Sequence, residues 1–231
     1  MANGDTTLNT NSIKKFKEVG FCLLFFIFSF IFSLGITLPF SNILSGHGGI
    51  TTPSTVLIGF VSWMIVISAQ FYVDKKLINT PKSQRFNPLI LLMTVAISVV
   101  IILIFNGFPS SRTISEGYSE FYSLTTWEHV THVIFSVICQ PVEEELLWRG
   151  FIVGVVVKYI PISFFKYTLI LIQSIAFGMM HTGLTFNMSD TPVFILAGLV
   201  LSTVFVLTKN LAYPIIGHSI ANLYIILTTG F

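Results

Sequence analysis

The chain has 231 residues, of which 53% are hydrophobic and 10% charged, with a formal net charge of +2. An ordinary soluble domain carries about 25% charged residues, so lipid must be the solvent for much of this chain, and so small a net charge gives no footing for nucleic acid. Cys22 and Cys139 both lie in apolar segments, which excludes a disulfide framework and reads them as small buried hydrophobes.

Residues 1–18 form a polar tail ending in Lys14, Lys15 and Lys17. The apolar stretch after it reaches about Phe40, too long for a signal sequence and without a small-residue cleavage pattern, so it reads as a retained first span. A span needs roughly 20 apolar residues. On that rule seven spans are predicted, near residues 19–39, 54–73, 88–108, 129–157, 163–183, 192–208 and 211–230. The fold class is therefore an all-α, polytopic transmembrane helix bundle. It divides into the tail at 1–18, N-terminal transmembrane helices at 19–127 and a core bundle at 128–231.

Basic residues set the orientation. With the N-terminus cytoplasmic, Lys14, Lys15, Lys17, Lys75, Lys76, Lys82, Arg85, Lys158, Lys166 and Lys209 all fall inside, leaving only Arg112 outside and Arg149 within the membrane. Cytoplasmic loops are enriched in Lys and Arg in this way. The outer loop at 109–127 carries Tyr118, Tyr122 and Trp127, aromatics suited to the headgroup belt. His129 and His132, with Glu128, read as a polar face at headgroup level, and His47 as solvated in a Gly-rich loop.

A charged side chain at the bilayer centre costs about 2.5–3.5 kcal/mol on insertion scales, so intramembrane charges mark a functional site. The fourth span carries Glu143, Glu144, Glu145 and Arg149 in the run QPVEEELLWRGF. Glu145 and Arg149 are i and i+4, on one helical face, and can pair. Glu144 points about 100° away from Glu145 and is free to face something else. A partly desolvated carboxylate there suits proton transfer from water. Pro141 predicts a kink or restart just upstream.

Two more spans supply polar partners. SIAFGMMHTG holds His181, with Phe177 one turn earlier; YPIIGHSIANLY holds His218 and Asn222 on a shared face. Neutral imidazoles and a carboxylate are also a standard ligand set for a zinc-type ion, which makes Glu144, His181 and His218 the candidate ligands of a divalent metal. Depth fits less well: at 1.5 Å rise per residue Glu144 lies roughly 20 Å from the inner end of its span, and His218 only roughly 10 Å.

In order along the chain, Glu144-Glu145-x-x-x-Arg149, Phe177-x-x-x-His181 and His218-x-x-x-Asn222 resemble the three motifs of the CAAX protease and bacteriocin-processing (CPBP or Abi) family of membrane peptidases. The resemblance covers about residues 128–226, so the core reads as a CPBP-like catalytic bundle. It implies an intramembrane endopeptidase in which Glu144 activates a water with His181, while His218 and Asn222 bind water, metal or oxyanion. Glu145 and Arg149 would orient these groups, and Phe177 would meet substrate. The resemblance leaves the requirement for a metal open. Implied substrates are a lipidated CAAX-type protein, a bacteriocin leader or a pheromone precursor, delivered through membrane lipid in a bacterial cell membrane. Two other readings stand beside it: a non-enzymatic protein of the same fold acting in bacteriocin self-immunity or as a scaffold, and a proton-coupled transporter. The transporter is disfavoured by the lack of an internal repeat.

Overall fold

The computed structural model describes residues 86–106, 126–154, 163–185 and 191–229, with isolated helical positions between residues 17 and 31 and between 61 and 72. The predicted tail, most of the first two spans and the loop regions at 41–55 and 109–125 lie outside the described residues. All the regular structure described is helical: α1 (Pro88–Asn106), α2 (Thr126–Ile134), α3 (Gln140–Glu145), α4 (Ser163–Thr185), α5 (Thr191–Thr208) and α6 (Ala212–Thr229). Two stretches of wider π-helix, Phe135–Cys139 and Leu146–Val153, make α2 and α3 parts of one continuous rod over residues 126–153.

The first π stretch follows from Pro141. A proline nitrogen carries no hydrogen, so the regular i to i−4 ladder fails there. The backbone N–H of Gln140 donates instead to the carbonyl of Phe135, five residues back. The predicted kink is thus a widening of the rod and not a break. Such bulges often sit at functional sites, and this one immediately precedes the three glutamates.

Helices that follow one another along the chain alternate in direction, whereas α1 and α6 pack side by side in the same direction. At one end, Tyr213 at the start of α6 stacks on Phe86, ring centroids 5.3 Å apart, and its hydroxyl accepts from the Asn87 amide at the start of α1. Val153, at the far end of the rod, packs there with Ile170 of α4 and Phe205 of α5. A short turn joins α5 to α6: Lys209 is left-handed (φ 53°), and Asn210 Oδ1 accepts the Ala212 amide at 3.0 Å, capping α6. Burial and the neighbouring Lys166 push the Lys209 ammonium below its ordinary range, so two lysines assigned to the same side lie together at this end.

The bundle is apolar outside and holds an unusual number of polar groups among the apolar ones inside. Leu89, Leu92, Met93, Val100 and Leu103 of α1, Ile172 and Met179 of α4 and Leu227 of α6 are exposed, while Thr94, Ser98, Gln173, Ser174, Ser202, Glu143, Glu145 and Arg149 are buried. That distribution suits a lipid surround, where helix contact rests on close packing of small residues and on interhelical hydrogen bonds. α5 is long and apolar enough to cross a bilayer, and α1 and α6 contain shorter apolar lengths, Pro88–Leu103 and Ala212–Leu227.

Small residues set the helix spacing. Ser174 on α4 meets Gly198 on α5, Gly178 meets Ile195, and the Ser202 hydroxyl donates to Gln173 Oε1 at 2.9 Å. A Cβ at Gly178 would lie 2.8 Å from the backbone nitrogen of Ile195. Gly178→Ala is therefore expected to push α4 from α5 and cost about 1–3 kcal/mol by overpacking, read as a lower unfolding temperature in detergent. An unchanged temperature would contradict this packing.

Candidate active site

The three motif elements converge from the rod, α4 and α6. His181 Nε2 lies 3.2 Å from Glu144 Oε2, and His218 Nε2 lies 3.9 Å from the same oxygen. Ligand atoms of these three residues all fall within 4.8 Å of one another. Glu144 and His181 are 19% and 18% exposed, so this cluster is reachable, whereas His218 is 8% exposed and lies deeper.

The second carboxylate is closed off. Glu145 and Arg149 are 0% exposed, and Arg149 Nη1 donates to Glu145 Oε1 at 2.9 Å. Arg149 Nη2 reaches the carbonyl of Gly198 at 3.3 Å, and the guanidinium carbon sits 4.3 Å from the Phe177 ring centre. Gly198 has no side chain between its backbone and Phe177, which is what lets that carbonyl approach. Glu145 Oε1 also meets His218 Nδ1 at 2.9 Å. The i to i+4 pairing expected of Glu145 and Arg149 is present, and Glu144 faces elsewhere, as successive helical residues must. Glu143 is buried and rotated away from this pair.

Hydrogen bonding fixes both imidazole tautomers. His181 Nδ1 lies 2.9 Å from the carbonyl of Phe177, which can only accept, so Nδ1 carries the hydrogen. By the same reasoning His218 Nδ1 donates to the Glu145 carboxylate. In the neutral rings each Nε2 then presents a lone pair toward Glu144 Oε2. Three acceptors with no hydrogen between them repel unless a proton, a water or a cation joins them. Glu144 Oε2 is buried and has no hydrogen-bond partner among the described residues, consistent with a place for such a guest. One carboxylate oxygen and two imidazole nitrogens fit the ligand chemistry of a zinc-type ion.

His181 is clamped between aromatics. Phe177 lies 4.2 Å from it and Phe194 of α5 stacks at 4.9 Å and 27°. Phe177, expected to meet substrate, is 2% exposed and its ring meets Arg149, Trp148, His181 and His218. It forms the floor under the histidines, and Phe194 is the aromatic that sequence reasoning missed; its spacing carries no motif signal.

Asn222 has a partner that the sequence did not suggest. Its Nδ2 donates to the carbonyl of Ser136 at 2.8 Å. In the π stretch that carbonyl should receive the N–H five residues on, which is Pro141 and has none. Asn222 fills the gap. An amide nitrogen carries two hydrogens, so the second N–H remains for other use.

Gln140 was also passed over. Its Nε2 donates to Glu144 Oε1 at 2.7 Å. The i to i+4 spacing that brings the two together was legible in QPVEEE, behind three more conspicuous acids. His129 is half-buried near the start of the rod, while the side chains of Glu128 and His132 and the residue His47 lie outside the described part. Cys139 is buried and in no disulfide among the described residues, and Cys22 is outside them.

The depth mismatch between His218 and Glu144 has a simple cause. Ile170, Val153 and Phe205 share one level, with Leu211 packed against them. Glu144 is nine residues along the rod from Val153, and His218 is seven residues along α6 from Leu211, so the two depths come close when both start from this level and not from residue 157.

Comparison with protein families matches residues 126–224 to the Rce1-like family, described as type II CAAX prenyl endopeptidase Rce1-like. Comparison with curated proteins gives no match, and comparison with solved structures gives none either. The matched stretch runs from the start of α2 into α6 and contains all three motifs. With its apolar exterior and converging polar groups, this part of the chain is similar to the Rce1-like family of CAAX prenyl endopeptidases, in keeping with the group that the motifs resemble.

Proposed function

We propose that the protein hydrolyses a peptide bond in a membrane-delivered substrate, with Glu144 as general base. The observation that carries this reading is the convergence of Glu144 Oε2, His181 Nε2 and His218 Nε2, from three separate helices, on one point beside the part-exposed Glu144 and His181 side chains. A water there donates one hydrogen to Glu144 Oε2 and the other to His181 Nε2. As its oxygen attacks the scissile carbonyl carbon, the first proton passes to Glu144. The carbon–oxygen bond forms while the carbonyl π electrons move to oxygen, giving a tetrahedral oxyanion.

The second N–H of Asn222 is the neutral donor offered to that oxyanion. His218 acts in its protonated form, donating from Nε2 to the oxyanion and keeping that proton through the cycle, its charge balanced by Glu145 through Nδ1–H, as a buried carboxylate supports imidazolium in hydrolytic triads. A good oxyanion donor contributes about 3–4 kcal/mol. Collapse breaks the carbon–nitrogen bond, and Glu144 returns its proton to the leaving amine. Atoms balance: one water enters, one acid and one amine leave. Glu144, His181 and His218 would also hold a zinc-type ion, and such an ion when bound supplies Lewis acidity and a more acidic water.

The substrate class that best fits the family is a prenylated C-terminal CAAX-type peptide, with bacteriocin leaders and pheromone precursors as the other bacterial candidates. The test uses the full chain in liposomes with a farnesylated CAAX peptide, products being read by mass spectrometry. Wild type is expected to cleave it. His181→Ala and His218→Ala are each expected to lose about 10²–10⁴-fold in rate, the usual worth of a positioned proton-transfer group, and to lose any zinc retained by the wild type. Wild-type rates in both variants, or no cleavage of any of the three peptide classes, would overturn the proposal; loss of rate without any zinc in wild type would assign the histidines to water alone.

A further inference from the structure

We propose that Gln140 is a positioning residue for Glu144: its side-chain amide holds one carboxylate oxygen so that the other stays turned toward both histidines. The inference deepens the reading of Glu144 as the base and rests on it.

The bond runs from Gln140 Nε2 to Glu144 Oε1 at 2.7 Å, the short distance typical of a charge-assisted hydrogen bond. Its direction is forced. Rotating the amide end for end would set its carbonyl against a carboxylate oxygen, acceptor against acceptor. With Oε1 held, Oε2 is the atom that faces His181 and His218. The last torsion of a glutamate is broad and nearly two-fold, so nothing internal to the side chain chooses between its two oxygens or fixes the plane in which they lie. The anchor supplies that choice.

The neighbouring acid is handled the same way by different groups. Glu145 is held through Oε1 alone, by Arg149 and His218. Each member of the adjacent pair is therefore pinned by one oxygen, Glu145 from α6 and within the rod and Glu144 from one turn upstream on the same rod. The charged and titratable groups around Glu144 are His181 on α4, His218 on α6, and Glu145 and Arg149 on the rod. Gln140 is the neutral member of the set.

Its anchor point has its own support. Gln140 opens α3 directly after the π stretch, where its backbone N–H bonds to Phe135. The side chain leaves from a backbone whose register is set by Pro141, not from a fraying end. Residue 140 faces the same side as Glu144 because four residues separate them within the α-helical part of the rod.

Two near-isosteric variants test this in the farnesyl-peptide assay. Gln140→Met keeps the length and removes the donor, and Gln140→Glu keeps the shape and replaces the donor with an acceptor. Both are expected to lower kcat about 10–100-fold, the usual effect of removing an outer hydrogen-bond partner from a catalytic group, with KM and the unfolding temperature at wild-type values. A residue of the substrate groove would raise KM instead, and a packing residue would lower the unfolding temperature. Wild-type kcat in both variants, or a change confined to KM, overturns the positioning role while leaving the peptidase reading intact. No cleavage of any of the three peptide classes by wild type overturns the peptidase reading and this inference with it.

Discussion

Glu144→Gln is expected to reduce peptide cleavage by about 10²–10⁴-fold, the contribution of a general base, in a protein that still folds and inserts. The amide has nearly the same shape as the carboxylate, so the rod, the Gln140 contact and the imidazoles can keep their places, and only the capacity to take a proton is lost. Glu144→Asp is a stricter test. Retracting the carboxylate by one methylene moves Oε2 away from His181, now 3.2 Å distant, and a misplacement of about 1 Å costs about 10²-fold in a positioned reaction. Both are measured as single-turnover rates in liposomes with the variant's content normalised. Full activity in Glu144→Gln would remove the base from the mechanism. Full rescue of a cellular phenotype by that variant would instead favour the non-enzymatic scaffold or immunity role.

The second large effect is on stability. Arg149→Ala is expected to destabilise the bundle by about 3–5 kcal/mol, the usual result of stripping one partner from a buried ion pair. Arg149 and Glu145 are both 0% exposed, so no solvent can take over the abandoned carboxylate. Arg149→Lys is expected to recover only part of the loss. The guanidinium reaches Glu145 Oε1 with one nitrogen and the Gly198 carbonyl with another while lying over Phe177, and an ammonium offers neither the fork nor the flat face. Thermal unfolding in detergent measures both variants. Wild-type unfolding temperatures would mean that the pair is not the clasp described. Cleavage should fall with stability, because Glu145 freed from Arg149 no longer holds His218 in place.

Much of the bundle was legible in the sequence because lipid imposes a length and a composition on each crossing. The predicted spans at 88–108, 163–183, 192–208 and 211–230 correspond to Pro88–Asn106, Ser163–Thr185, Thr191–Thr208 and Ala212–Thr229. The paired acids, Arg149 and the two histidines stood out because each is costly in an apolar segment. What the sequence hid was geometry that depends on a partner in another helix. Hydrophobic patterning cannot distinguish a π stretch from an α-helix in a segment apolar on most sides, so the rod at 126–153 read as an ordinary long span. Asn222 shared a helical face with His218, as its spacing required, yet spacing could not disclose that one of its hydrogens goes to Ser136. Phe177 read as a substrate contact because it stands one turn from His181, and its burial beneath Arg149 is a property of three helices at once.

The link between Pro141 and Asn222 ties two distant stretches of the chain by deficit and supply. An imino nitrogen in the rod leaves the Ser136 carbonyl wanting a hydrogen, and an amide on α6 brings it. Neither residue is then free to vary alone. An ordinary amino acid at 141 would bring that oxygen a hydrogen from within the rod and make the Asn222 bond a second one, no longer the sole supply, and an aspartate at 222 would meet that oxygen with another acceptor. The distance between the glutamate rod and the histidine of α6 is in this sense set about two turns before Glu144 and about one turn beyond His218, by a hydrogen that one residue lacks and the other provides.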